Sequence, residues 1–140
     1  MADGVRVDII GSKDLQAKFS RLAGKEQKAI IRKAMRPAWK TILAESKRLV
    51  PVDRGLLKRG LKLRALKRSR TSFGLRVVTP DRPYLGIRPK APGYYPAALE
   101  YGTKNMRARP YLRPAFKSHK GSAKVILGRG IRDGMRRLVR

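Results

Sequence analysis

Apolar residues recur along this chain at two periods, and the switches between them divide it into elements. Val5, Val7 and Ile9 alternate with Arg6 and Asp8, a period of two that predicts a strand with one buried face. Gly11 ends it. Ser12 or Asp14 then suits the cap of a short helix carrying Leu15, Phe19 and Leu22 on one side, broken at Gly24. From Lys25 to Val50 the spacing becomes three and four: Ile30, Ile31, Ala34, Met35, Ala38, Trp39, Ile42 and Leu49 form one stripe of a long amphipathic helix. Pro37 lies inside it, so a kink or break is expected over 33–36. Trp39 is expected to anchor the core.

Pro51 disfavours helical geometry in Val50 and stops the helix. Asp53 is placed to accept hydrogen bonds from the amides of Gly55 and Leu56 and so to cap a single turn. Period two returns in Leu61, Leu63 and Ala65 and again in Phe73, Leu75 and Val77, with a polar turn over 67–72 between them. This predicts an antiparallel hairpin with one apolar face. Its other face is basic, from Lys62, Arg64 and Arg76 with Lys67, Arg68 and Arg70 at the turn, and is exposed either to solvent or to a partner.

Residues 80–96 hold prolines at 80, 83, 89, 92 and 96, and also Tyr84, Leu85, Ile87, Tyr94 and Tyr95. The segment is too apolar for a plain linker and predicts an extended arm that orders against another subunit. A short helix over 96–99 leads into Y-G-T-K-N-M-R-A-R-P-Y-L-R-P-A, 101–115. A last helix follows over 111–138, with Leu112, Phe116, His119, Ala123, Ile126, Ile131, Met135 and Leu138 on its buried side. His119 is accordingly a packed or interfacial residue. Gly130 and Gly134 share a face and permit close approach of another backbone. The elements together predict one α+β domain over 1–140. A small antiparallel sheet, the N-terminal strand plus the central hairpin, packs against a long kinked helix and a C-terminal helix, with a Pro-rich arm at 80–96.

Charge changes this picture most. The 140 residues include 36 Lys and Arg against 9 Asp and Glu, a formal net charge of +27. Self-repulsion on that scale favours polyanions or acidic protein surfaces as partners. The basic residues interleave with apolar ones at structural spacing, so the charge belongs to a folded surface. There is no cysteine, hence no disulfide framework or thiolate metal site. No apolar run reaches the roughly 20 residues needed to span a bilayer, and the first ten residues lack a signal-peptide layout. A soluble protein made in the cytoplasm is expected.

Catalytic patterns are missing. The chain has no G-x-x-x-x-G-K-[ST], no G-x-S-x-G and no H-E-x-x-H, and Glu26, Glu45, Asp53, Asp81, Glu100 and Asp133 are scattered singly rather than clustered for metal-assisted hydrolysis. The expectation is a protein that is not an enzyme, with no cofactor, metal or small-molecule substrate.

Two segments carry a resemblance. V-P-V-D-R-G-L-L-K-R-G-L, 50–61, and Y-P-A-A-L-E-Y-G-T-K-N-M-R-A-R-P-Y-L-R-P-A, 95–115, resemble the two signatures of the gene-product-ten-like family of tailed-bacteriophage head-tail connector, or tail-completion, proteins. Those signatures are similar to P-V-D-T-G-x-L-R-x-S, and to E-x-G-T followed by A-R-P-F-L-R-P-A, in the same order. Arg54 stands where the family usually has Thr, and Gly60 where Ser is common.

The resemblance implies a non-enzymatic virion subunit, assembled in the host cytoplasm. It would form a homo-oligomeric ring, often six-fold, at the head-proximal end of the tail, beside neck or adaptor proteins and tail-tube or tail-terminator proteins. Gly102 would then turn the chain, and Pro110 and Pro114 would fix its path into the last helix. Arg107, Arg109 and Arg113 would pair with a carboxylate, Glu100 of the same or an adjacent subunit being nearest. Tyr84, Tyr94 and Tyr95 would lie in subunit contacts. Two other readings remain open at this level: a basic nucleic-acid-binding module, which overlaps with non-specific contact to genomic DNA, and a tail protein docked on acidic neighbouring rings.

Overall fold

The computed structural model describes Ala17, Ser20, Arg21 and residues 24–66, 74–88 and 95–138. The expected N-terminal strand, the Ser12 or Asp14 cap, Leu15, Phe19 and Leu22, the hairpin turn with Lys67, Arg68, Arg70 and Phe73, and Tyr94 all lie outside these residues. Within them the fold is α+β. It comprises α1 (Gly24–Leu49), α2 (Leu56–Gly60), β1 (Lys62–Ala65), β2 (Leu75–Val78), α3 (Tyr95–Tyr101) and α4 (Leu112–Leu138).

Helix α1 buries Ile30, Ala34, Ala38, Ile42 and Ser46, a stripe of constant four-residue spacing that keeps one narrow face against its neighbour. That neighbour is α4, which runs antiparallel to it: Gly134 lies against Ile30, Gly130 against Ala34, and the Phe116 ring sits 6.2 Å from the Trp39 ring. Ala34, Gly130 and Gly134 bring the backbones close. A Cβ on Gly130 would stand 2.8 Å from the Ala34 Cβ and 3.1 Å from its Cα. The rest of the seam is filled by Ile30, Ala38, Leu127, Ile131 and Met135. Leu127, rather than its partly buried neighbour Ile126, occupies the core position, and Leu138 is exposed. Trp39 is half-buried at the flank of the seam rather than central to it.

Of the kink or break expected over 33–36, the break does not occur: α1 is continuous there. Pro37 and Lys33 are both exposed, so the Lys33 carbonyl that loses its amide donor faces water.

The hairpin forms as expected, antiparallel, with Lys62 opposite Val78, Leu63 opposite Val77, Arg64 opposite Arg76 and Ala65 opposite Leu75. Its apolar side joins a second core of Val50, Leu57, Leu61, Leu85 and Tyr111, with Leu99 and Leu112 packed on it. Leu85 corrects the expected arm. Residues 81–87 are a compact turn, closed by the Leu85 amide on the Asp81 carbonyl at 3.2 Å and the Ile87 amide on the Arg82 carbonyl at 2.9 Å. The turn drops Leu85 into this core instead of extending it to another subunit.

Asp53 is a second correction. The residue before α2 is Gly55 at φ 71°, and α2 has no side-chain cap. A left-handed residue there redirects the backbone away from the Asp53 carboxylate. Asp53 is left exposed.

Candidate functional site

The joint between α3 and α4 is where the second signature becomes legible as chemistry. Helix α3 closes with the Gly102 amide donating to the Ala98 carbonyl at 2.8 Å, and Gly102 adopts φ 77°. A Cβ on it would stand 2.9 Å from the Ala108 nitrogen and 3.0 Å from the Met106 oxygen, so glycine is required by conformation and by space. Thr103 and Met106 then pair across a two-residue turn formed by Lys104 and Asn105. The Arg109 amide, 2.7 Å from the Leu99 carbonyl, returns the chain to α3.

This path sets Glu100 beneath the first turn of α4. A helix begins with four amides that have no partner inside it, here those of Tyr111, Leu112, Arg113 and Pro114. Glu100 Oε2 accepts from the Tyr111 and Leu112 amides at 2.8 and 2.9 Å, and Oε1 from the Arg113 amide at 2.9 Å. The fourth has no N–H to satisfy, because it is a proline. One carboxylate and one proline therefore settle the whole helix start. Pro114 thus lies in the first turn of α4, whereas Pro110 is exposed and lies ahead of the helix.

Arg113 locks the arrangement. Its Nε is 3.3 Å from Glu100 Oε1, its Nη2 donates to the Glu100 carbonyl at 2.9 Å, and its guanidinium lies 4.9 Å from the Tyr101 ring centre. Glu100 is only 2 % exposed. Burial alone pushes its carboxyl up, but the amides of Leu112, Tyr111 and Arg113 and the Arg113 side chain together hold it below its ordinary value. Tyr111, fully buried, donates its hydroxyl to the Pro96 carbonyl at 3.4 Å and ties the joint to the second core. Of the two pairings expected for Arg113, with Glu100 of the same or of an adjacent subunit, the one within the chain forms, so neither side chain is left for a neighbour through this pair. The pattern that encodes this was visible: a glutamate upstream of a proline at the third helical position. Its separation of 11 to 13 residues hid it from local capping rules.

Arg107 and Arg109 are different. Both are exposed, and neither side chain makes an ion pair among the described residues. Arg109 lines a groove of about 430 Å³ whose other walls include Tyr95 and Leu99 of α3, Asp53 and Arg54 from the loop before α2, and Lys58 of α2. The two segments, separated in sequence by residues 62–94, thus meet at one groove. Tyr95, 40 % exposed, sits in it. Tyr84 does not. It lies across the hairpin, with Lys62 Nζ 6.0 Å from its ring centre and Gly60 so close beneath that a Cβ there would stand 2.9 Å from the ring.

The hairpin's outer face carries Lys62, Arg64 and Arg76, all exposed. Among the described residues no group of His, Asp or Glu could hold a metal ion, and no helix is long and apolar enough to cross a membrane. His119 Nδ1 is 2.9 Å from the Ser118 hydroxyl, a contact to its own neighbour in the chain. Comparison with protein-family models, with curated proteins and with solved structures yields no match to this chain.

Proposed function

We propose that this chain is a structural subunit of a tailed-phage virion, forming a homo-oligomeric ring, often six-fold in such assemblies, that completes the head-proximal end of the tail. Adaptor or neck proteins would contact it on one side, and tail-tube or tail-terminator proteins on the other. The observation that carries the reading is the convergence of the two signature segments on one groove, held by a joint that uses up its own internal charges. A rigid joint that presents Arg107 and Arg109 outward suits a recognition surface better than a reaction centre.

Asp53 adds to it. Freed from capping α2, it is an exposed carboxylate on a strongly basic chain, and in a closed ring each patch meets a different patch on the next copy. Asp53 of one copy facing Arg107 of the next satisfies that rule. Exchange of the two charges tests it: Asp53→Arg and Arg107→Asp should each reduce the ring fraction in sedimentation velocity, and the double variant should restore it. Single variants that assemble normally, or a wild-type protein that stays monomeric at all concentrations and is absent from purified tails, would overturn the proposal.

A further inference from the structure

The outer face of the hairpin has a feature that ring formation does not use. Arg64 on β1 stands directly opposite Arg76 on β2. Like charges opposite one another across an antiparallel pair work against the strand pairing. Neither arginine makes an ion pair among the described residues, and 54–80 contains no acid at all. Lys62 shares the face, two residues from Arg64 along the strand and so about 6.7 Å away. Its ammonium lies toward Tyr84, which is 47 % exposed. The result is a row of cations beside an aromatic ring, along an open groove of about 420 Å³ in which Asp81 is the one carboxylate against Lys62, Arg64 and Arg76.

We infer that this face binds the phosphate backbone of nucleic acid, without regard to base sequence, through Lys62, Arg64 and Arg76. A phosphate between the two guanidinium forks turns the Arg64–Arg76 repulsion into two charge-assisted contacts. Nucleic acid fits better than an acidic protein because the cations are not confined to the hairpin. The exposed face of α1 carries Arg36 and Lys40 as well. A continuous polyanion can follow such a surface, whereas the carboxylates of a protein meet it at discrete points. Contacts of this kind, from lysine and arginine to phosphate, fix position on the backbone and carry no base readout.

The test is fluorescence anisotropy of the full chain on two duplexes of unrelated sequence, between 50 and 300 mM NaCl. Both duplexes should bind alike, with log affinity falling linearly in log salt. The K62Q/R64Q/R76Q variant should lose about 2 to 3 units of that slope, near 0.9 per phosphate contact. It should melt no lower than wild type, because relief of the Arg64–Arg76 repulsion offsets whatever else is lost. A K120Q/K124Q/R129Q variant removes the same three charges from α4 and should change the slope distinctly less.

Equal losses from the two variants would show a diffuse polycation and overturn the assignment. So would a wild-type slope below about 1. Polyglutamate displacing the duplex at equal charge, with the same dependence on the hairpin, would make the partner an acidic protein and also overturn it. None of these readings depends on ring formation, so the inference and the assembly proposal fail separately.

Discussion

Glu100 is the residue on which the joint between α3 and α4 depends, and its loss has a calculable direction. Glu100→Gln keeps the volume but places an amide group where two oxygens now accept from three backbone amides and Arg113. With hydrogen bonds to a charged acceptor worth about 1.5–3 kcal/mol each and not additive, a loss of about 3 kcal/mol is expected. Urea unfolding should show it as a lower midpoint at unchanged slope. The pH dependence follows in sign. The folded carboxyl is held below its ordinary value. Its contribution is therefore complete above the unfolded value of about 4.3 and is lost as pH falls through the lower folded one. The stability gap between wild type and Glu100→Gln should be flat near neutrality and close progressively in acid. A gap independent of pH down to full protonation would contradict the charge-based account. Arg113→Lys should also destabilise, since a point charge cannot bond the Glu100 carboxylate and carbonyl while lying on Tyr101.

At the scale of elements, the glycines of α4 separate into two kinds. Nothing lies within 4 Å of a Cβ added to Gly121 or Gly128, whereas one added to Gly130 meets Ala34 and one added to Gly134 comes within 2.7 Å of Ile30 Cγ2. Gly121→Ala and Gly128→Ala should each raise thermal stability, by up to about 1 kcal/mol from helix propensity. Gly130→Ala should lower it by about 1–3 kcal/mol, because the neighbouring backbone cannot yield without parting the helices. Four melting curves check all of this, and same-sign shifts at 121 and 130 would mean that the seam is not where the contacts place it.

The same contrast explains what could be read in advance. The end of α1 and the start of α4 fall within a residue of those predicted, because the apolar stripes are long and Pro51 acts locally. The hairpin was legible from its alternation. Pro37 does not interrupt α1, because what a proline does to a helix depends on the exposure of the position, and the arm misled because Leu85 is buried by contacts distant in sequence. Asp53 has the spacing of a cap, but the positive φ of Gly55 decides otherwise. Glu100 was found as a partner for arginine, while its larger role, bonding three amides of a distant helix start, follows only once Gly102 has turned the chain back.

For the molecule as a whole, charge works against the assembly proposed above. In such a ring, subunits of net charge +27 would repel, and the repulsion would grow as copies closed. Few carboxylates are free to oppose it, since Glu45 is paired with Arg48 at 2.6 Å and Glu100 is sealed inside the joint. Screening should therefore favour association. Raising NaCl from 20 to 500 mM shortens the Debye length from tens of ångströms to a few, which leaves short-range contacts in the groove intact while removing repulsion between whole subunits. The ring fraction in sedimentation velocity should rise with salt over this range, and the melting temperature of the isolated subunit should rise with it. A short duplex at low salt should substitute for the added salt if the hairpin face holds phosphate, because the polyanion neutralises the same charge. Assembly that instead falls steadily with salt would mean that opposite-charge pairs, not groove contacts, dominate the interface. The Asp53 and Arg107 exchange would then be expected to account for most of its strength.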